Sequence, residues 1–161
     1  MKNVTLRPPQ HRDGARMWEL ARDSGKLDLN SSYAYVLWCR DFAETSVVAE
    51  LDGRLVGYTI GYLRPQAPQT LFVWQVGVDA ASRGNGIALT MLESIVESVG
   101  ASRLETTVTA DNTASVALFQ ALARRHGAPL ERRELFGSSD FPDEHAAEDL
   151  YSIEPIGALA R

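Results

Sequence analysis

Between Trp74 and Val99 the hydrophobic period changes from two to about 3.6 across a glycine-rich turn. Trp74-Gln75-Val76-Gly77-Val78 reads as a strand. From Gly86 onward, Leu89, Leu92, Ile95, Val96 and Val99 form one apolar helix face, which Gly100 ends. A strand that feeds a helix through so short a turn aims several backbone N–H groups in one direction, and the helix dipole adds partial positive charge there. In Ser82-Arg83-Gly84-Asn85-Gly86-Ile87-Ala88, glycine and alanine leave the backbone open to a diphosphate, and Arg83 can add charge. The turn lacks both the Gly-x-x-x-x-Gly-Lys-Ser/Thr pattern and the spaced three-glycine dinucleotide fingerprint, which disfavours ATP and NAD.

The rest of the chain reads as alternating short elements. Val4 and Leu6 suggest an edge strand, and residues 13–23 a helix with Ala15, Trp18, Leu20 and Ala21 inward. Asp28-Leu29-Asn30-Ser31-Ser32 offers several capping side chains before a second helix over 33–42, with Tyr33, Val36 and Leu37 at helical spacing. Asp52-Gly53 separates the β-rich runs 46–51 and 54–63 as a hairpin, and 71–78 supplies a further strand. Residues 104–109 read as a strand, Asp111 or Asn112 as a cap, and 114–125 as an amphipathic helix. Leu135-Phe136 and 150–153 read as closing strands, separated by a polar loop. The order implies an α+β fold with a mixed sheet packed by helices.

At 161 residues and 45 % hydrophobic content, one domain spanning 1–161 is expected, burying about two-thirds of the surface of the unfolded chain. No apolar run approaches the roughly 20 residues of a membrane span, and the N-terminus has no leader character, so a cytoplasmic location is expected. A net charge of -5 argues against a nucleic-acid binder. Cys39 is the only cysteine and reads as a buried thiol, which leaves no disulfide and no cysteine-based metal site.

Arg83-Gly84-Asn85-Gly86-Ile87-Ala88 resembles the pyrophosphate loop of the GNAT acetyltransferase superfamily. Trp74 to Asp79 is similar to its fourth strand, and Asp111-Asn112-x-x-Ser115-x-x-x-Phe119 to its asparagine-bearing helix, in the same order. The resemblance implies a GNAT-like, mostly antiparallel twisted sheet flanked by helices. It also implies acetyl-CoA as co-substrate on Val76, Gly77 and Val78, its diphosphate on Arg83, Gly84, Asn85, Gly86, Ile87 and Ala88, and its pantetheine arm near Asn112, Ser115 and Phe119. Residues 28–35, 45–50, 71–76, 105–109 and 111–115 further resemble the branch that acetylates the γ-amino group of L-2,4-diaminobutyrate for ectoine biosynthesis. Homodimers are common in the superfamily, and no metal is implied.

An acceptor with two ammonium groups and a carboxylate needs fixed acids and donors. The matching strings nominate Asp28, Asn30, Tyr33, Tyr35, Trp74, His145 and Glu148 for it. Each has a plainer reading: Asp28 as a helix cap, Trp74 and the tyrosines as packing, His145 and Glu148 as solvated loop residues. Arg40 is the nearest arginine to a carboxylate clamp. An amine of pKa about 10.4 must lose a proton before attack, at a cost of about 4–5 kcal/mol at pH 7. Glu105, His145 and Glu148 are the candidate catalytic groups, with Asp28 a further possible relay and a structural role for Glu105 equally open. Phe119 stands where many superfamily members place a tyrosine, and a phenyl ring donates no proton. Another small amine, a protein N-terminus, or a non-catalytic acyl-CoA-binding module are the competing readings.

Overall fold

The computed structural model describes residues 3–157; residues 1–2 and 158–161 lie outside it. Its strands are β1 (Val4–Arg7), β2 (Val47–Leu51), β3 (Arg54–Arg64), β4 (Ala67–Val78), β5 (Arg103–Val108), β6 (Leu130–Phe136) and β7 (Glu148–Ile153). Its helices are α1 (Gly14–Ser24), α2 (Ser32–Asp41), α3 (Ile87–Val99) and α4 (Thr113–Arg125). The strand order is β1-β2-β3-β4-β5-β7-β6. The β4–β5 pair is parallel, whereas β1–β2, β2–β3, β5–β7 and β6–β7 are antiparallel. This is the mixed, mostly antiparallel sheet expected.

The chain forms two compact units. The first runs through Tyr62 and resumes over Trp74–Val99; the second holds Leu63–Val73 and everything from Gly100. Strands β3 and β4 therefore contribute residues to both.

In the first unit, Asp52 adopts φ 53°, as a two-residue hairpin turn between β2 and β3 requires. Ser31 caps α2, its Oγ accepting from the Ala34 N–H at 3.2 Å, so among the capping candidates the choice falls on Ser31 and not on Asp28. The inward faces of the first two helices differ in phase from the sequence reading. α1 buries Met17 with Leu20 and Ala21 and leaves Ala15 exposed. α2 buries Tyr35, Trp38 and Cys39 and leaves Tyr33 and Val36 exposed. These side chains join Val48, Leu55, Tyr58 and Ile60 in one core. Burying aromatic and sulfur-bearing side chains at about 1.5–3 kcal/mol each outweighs the weaker claim of Val36 and Ala15, and sets the helix rotation.

In the second unit, β4 pairs with β5 from Thr70↔Arg103 to Val73↔Thr106, after which β4 continues through Trp74 to Val78. Phe119, Leu122 and Ala123 form the buried face of α4. Strand β6 is longer than Leu135-Phe136 alone, because Glu131 to Glu134 extend it by backbone pairing with β7. Those four residues are exposed, so no apolar alternation marks the strand in sequence.

Candidate active site

β4 leaves the sheet at Val78 through Asp79 and a 3-10 turn over Ala80–Ser82. The Asp79 N–H donates to the Val56 carbonyl at 2.7 Å, and the Asp79 carboxylate lies 3.6 Å from Arg16, whose Nε donates to the Leu55 carbonyl. The strand exit is thus tied to α1 and β3. Arg83 follows, its Nε donating to the Val78 carbonyl at 3.3 Å. Gly84 and Gly86 then take φ of 82° and 73°, a left-handed conformation that residues with a Cβ enter only at a cost. Nothing lies within 4 Å of where their Cβ atoms would stand, so the outer side of the turn is open. Asn85 closes it from within, its Nδ2 donating to the Ser82 carbonyl at 3.0 Å. α3 starts at Ile87, and both the N–H and the hydroxyl of Thr90 bond back to the Gly86 carbonyl. The first-turn N–H groups of such a helix have no intrahelical acceptor and favour an anion. Arg16, Arg54 and Arg83 border a cleft beside this turn together with Asp23 and Asp79, so its positive side chains outnumber its acids by one.

The nominated acceptor residues of the first unit divide by environment. Trp74 projects outward from β4 and is 46 % exposed, with its ring centroid 4.4 Å from that of Trp38 and 6.3 Å from that of Tyr62. It is therefore an aromatic platform and not core. Tyr33 is 71 % exposed at the start of α2. Tyr35 is wholly buried, and its hydroxyl donates to Gln75 Oε1 at 2.9 Å, so the expectation of direct substrate contact gives way to a supporting place. Asn30 folds back so that its Nδ2 lies 3.4 Å from the Asp28 carbonyl. That same carbonyl accepts from Gln75 Nε2 at 2.9 Å. Arg40 is ion-paired with Asp41 at the surface, which removes it as a carboxylate clamp.

Gln75 lies inside the matching strings over 71–79, but nothing in them assigns it a role. The available signal was its phase: β4 buries Val73, Gln75 and Gly77 and turns Trp74 out, so an amide at an inward strand position must have buried partners. Its second donor, Tyr58, likewise carried no sequence signal beyond its place in β3.

In the second unit Glu105 does not stand as a proton acceptor. It is buried on β5 with one carboxylate oxygen 3.0 Å from Arg103 Nε and the other 3.6 Å from Arg64 Nη1, which makes it the acid of a structural ion pair. Of the two capping candidates, Asp111 and Asn112, it is Asn112 that caps α4, its Oδ1 accepting from the Ser115 N–H at 3.2 Å. Phe119 is buried on the inner face of α4, so its ring serves that core.

His145 and Glu148 are drawn together. The Phe141 ring stacks on His145 with centroids 4.2 Å apart, His145 Nδ1 lies 2.6 Å from the Ala146 carbonyl, and Nε2 lies 3.5 Å from Glu148 Oε2. A carbonyl only accepts, so Nδ1 bears the hydrogen at that contact and Nε2 faces the Glu148 carboxylate.

Cys39 is buried beside Met17, its sulfur 3.3 Å from Met17 Sδ, and burial pushes its thiol up to about 12. It is an inert thiol at neutral pH.

The acetyltransferase (GNAT) family model matches residues 14–123. The chain is 55 % identical over 159 residues to the L-2,4-diaminobutyric acid acetyltransferase of Nocardia farcinica, covering 97 % of this chain and 82 % of that protein. It is 52 % identical over 156 residues to the enzyme of the same name from Streptomyces coelicolor, covering 93 % and 92 %. Among solved structures, the diaminobutyrate acetyltransferase of Paenibacillus lautus, in complex with L-2,4-diaminobutyric acid and coenzyme A, superposes with a TM-score of 0.91 at 41 % identity over 96 % of each chain.

Proposed function

As a chain that belongs to the acetyltransferase (GNAT) family and to its L-2,4-diaminobutyric acid acetyltransferases, this protein, we propose, transfers the acetyl group of acetyl-CoA to the γ-amino group of L-2,4-diaminobutyrate. The product is N4-acetyl-L-2,4-diaminobutyrate, the precursor of ectoine. The observation that carries the reading is the turn after β4, where two left-handed glycines with open space outside them precede the first turn of α3. It is suited to the diphosphate of the acyl donor.

The roles assigned to individual residues belong to this proposal. Backbone N–H groups of Gly84 to Ala88 hold the diphosphate, with Arg83 adding charge, and Asn112 and Ser115 meet the pantetheine arm, as the family resemblance implies. An N–H near Val76, past the end of the β4–β5 ladder, polarises the thioester carbonyl as negative charge grows on it. Asp28, with Asn30 and Tyr33, receives the acceptor's polar groups, and Trp74 walls its aliphatic spine. The His145–Glu148 pair removes the amine proton, drawing on the carboxylate that faces Nε2. Attack proceeds directly in a ternary complex, because the one cysteine is buried with a raised pKa. Phe119 supplies no acid to the departing thiolate, itself a fairly good leaving group.

Residues 1–161 act as one acetyltransferase domain in the cytoplasm; the family match spans residues of both compact units, and among the described residues no helix is long and apolar enough to cross a membrane. A homodimer completes the proposal, favoured by edge strand β6, which leaves Leu135 and Phe136 exposed; light scattering after size exclusion tests it. The decisive assay offers diaminobutyrate, ornithine, lysine and spermidine with acetyl-CoA. A higher kcat/KM for diaminobutyrate is expected, with product NMR placing the acetyl group on N4. A preference for spermidine would sink the assignment.

A further inference from the structure

Gln75 lies on β4 between Trp74 and Val76, buried among inward-facing residues. Its amide has only one tenable orientation. The Asp28 carbonyl, 2.9 Å away, can only accept, so the NH2 group must face it. The amide oxygen then faces the hydroxyls of Tyr35 at 2.9 Å and Tyr58 at 2.7 Å, and both must donate. Burial, the largest cause, pushes the Tyr58 phenol far above its usual range, which keeps it a neutral donor. Two fully buried phenols and a buried amide thus converge so that a single N–H is delivered to one main-chain oxygen.

Packing alone does not call for this. Three apolar side chains of the same volume would fill the space without desolvating three polar groups, and such replacements are often neutral or stabilising. What the polar set provides and an apolar set cannot is a fixed link from β4 to the backbone of residue 28. The link is made through the main-chain carbonyl of Asp28 and not through its carboxylate. The proposed donor strand and the proposed amine-binding acid are thereby held at a set spacing within one compact unit.

We infer that Gln75, held by Tyr35 and Tyr58, is a positioning residue that sets the Asp28 carboxylate for the acceptor amine. This rests on the assignment of Asp28 to the acceptor made above. The test is a double-mutant cycle read by steady-state kinetics, with KM for diaminobutyrate and for acetyl-CoA measured on wild type, Gln75→Met, Asp28→Ala and the double variant. Asp28→Ala keeps the main-chain carbonyl, so the cycle reads coupling through the carboxylate. Gln75→Met is expected to raise the diaminobutyrate KM about five- to tenfold, the scale of one lost hydrogen bond, with the acetyl-CoA KM nearly unchanged. In the Asp28→Ala background the same change should add less than about twofold, because its route of action is gone.

Because Gln75→Met leaves two phenols without an acceptor, a triple variant, Tyr35→Phe/Tyr58→Phe/Gln75→Leu, separates folding from positioning. It is expected to melt near wild type yet keep the raised diaminobutyrate KM. Recovery of that KM together with stability would show a merely structural network and overturn the inference. So would equal factors for Gln75→Met in both backgrounds. If Asp28→Ala alone leaves the diaminobutyrate KM unchanged, the acceptor assignment of Asp28 has itself failed and the inference falls with it.

Discussion

Gly77 lies directly against the ring of Tyr58: a Cβ at position 77 would stand 2.5 Å from Tyr58 Cε1 and 3.0 Å from its hydroxyl oxygen. No rotamer change at residue 77 relieves this, since Cβ is fixed by the backbone. Gly77→Ala must displace the ring and with it the bond from Tyr58 to Gln75. A loss of about 2–3 kcal/mol is expected in urea denaturation, in the range for overpacked sites. Gly77 is therefore required by packing, whatever else it does for the cofactor.

Gly84 and Gly86 pose the opposite case, open space with left-handed backbone. Alanine at either should cost only about 1 kcal/mol of stability, from conformation alone. The acetyl-CoA KM should nonetheless rise about tenfold or more, because a methyl group and a shifted backbone disturb the N–H groups proposed to hold the diphosphate. An unchanged acetyl-CoA KM in both variants would remove the turn from the donor site.

Trp74 is nearly half exposed and rests on Trp38, so Trp74→Ala removes little core. Its melting temperature should stay within a few degrees of wild type, while the diaminobutyrate KM rises far more than that of acetyl-CoA. Trp74→Phe should restore part of the difference by retaining an aromatic wall. Equal increases in both KM values would contradict the acceptor assignment.

Arg7 bridges two acids, donating to Asp13 at 2.8 and 2.9 Å and to Glu50 at 2.6 and 2.9 Å. Burial works to raise the Asp13 pKa, but the bonds from Arg7 and from the Gln10 N–H win and hold it below 3.8. A carboxylate with a lowered folded pKa adds stability that is full above its unfolded pKa and is lost as pH falls through the folded value. Arg7→Ala should therefore destabilise most at neutral pH, by about 2–3 kcal/mol, and the gap to wild type should narrow below pH 3.8. Urea titrations at pH 7 and pH 3 check the sign.

Burial pushes the Cys39 thiol up to about 12. Cys39→Ala should keep kcat within about twofold and lose about 1 kcal/mol of stability for the small cavity it opens against Met17. The native thiol should resist alkylating reagents until the protein is unfolded. Loss of turnover in Cys39→Ala would point to an acyl-enzyme and away from direct transfer.

Local signals marked most elements because they act over a few residues. The period change at Gly86, the Asp52-Gly53 turn and a cap at Asp111 or Asn112 are all legible, and each recurs in the structure, the cap at Asn112. Helix phase was harder. Tyr33, Val36 and Leu37 share helical spacing as well as Tyr35, Trp38 and Cys39 do, and only the core supplied by Val48, Leu55 and Tyr58 selects the second set. β6 was partly hidden because a strand exposed along most of its length needs no apolar alternation.

The sequence by itself determined the turn proposed for the acyl donor: adjacency along the chain places β4, two glycines and the start of α3 in order, and backbone N–H groups need no distant partner to point at an anion. Tertiary structure decided which side chains are engaged elsewhere. It drew Glu105 into ion pairs with Arg64 and Arg103, drew Tyr35 away to Gln75, and tied Asp28 through its carbonyl to β4. Arg103 is two residues from Glu105 on β5, but the other partners lie tens of residues apart in sequence. Hydrogen bonding and burial act through space, so no local pattern could have announced them.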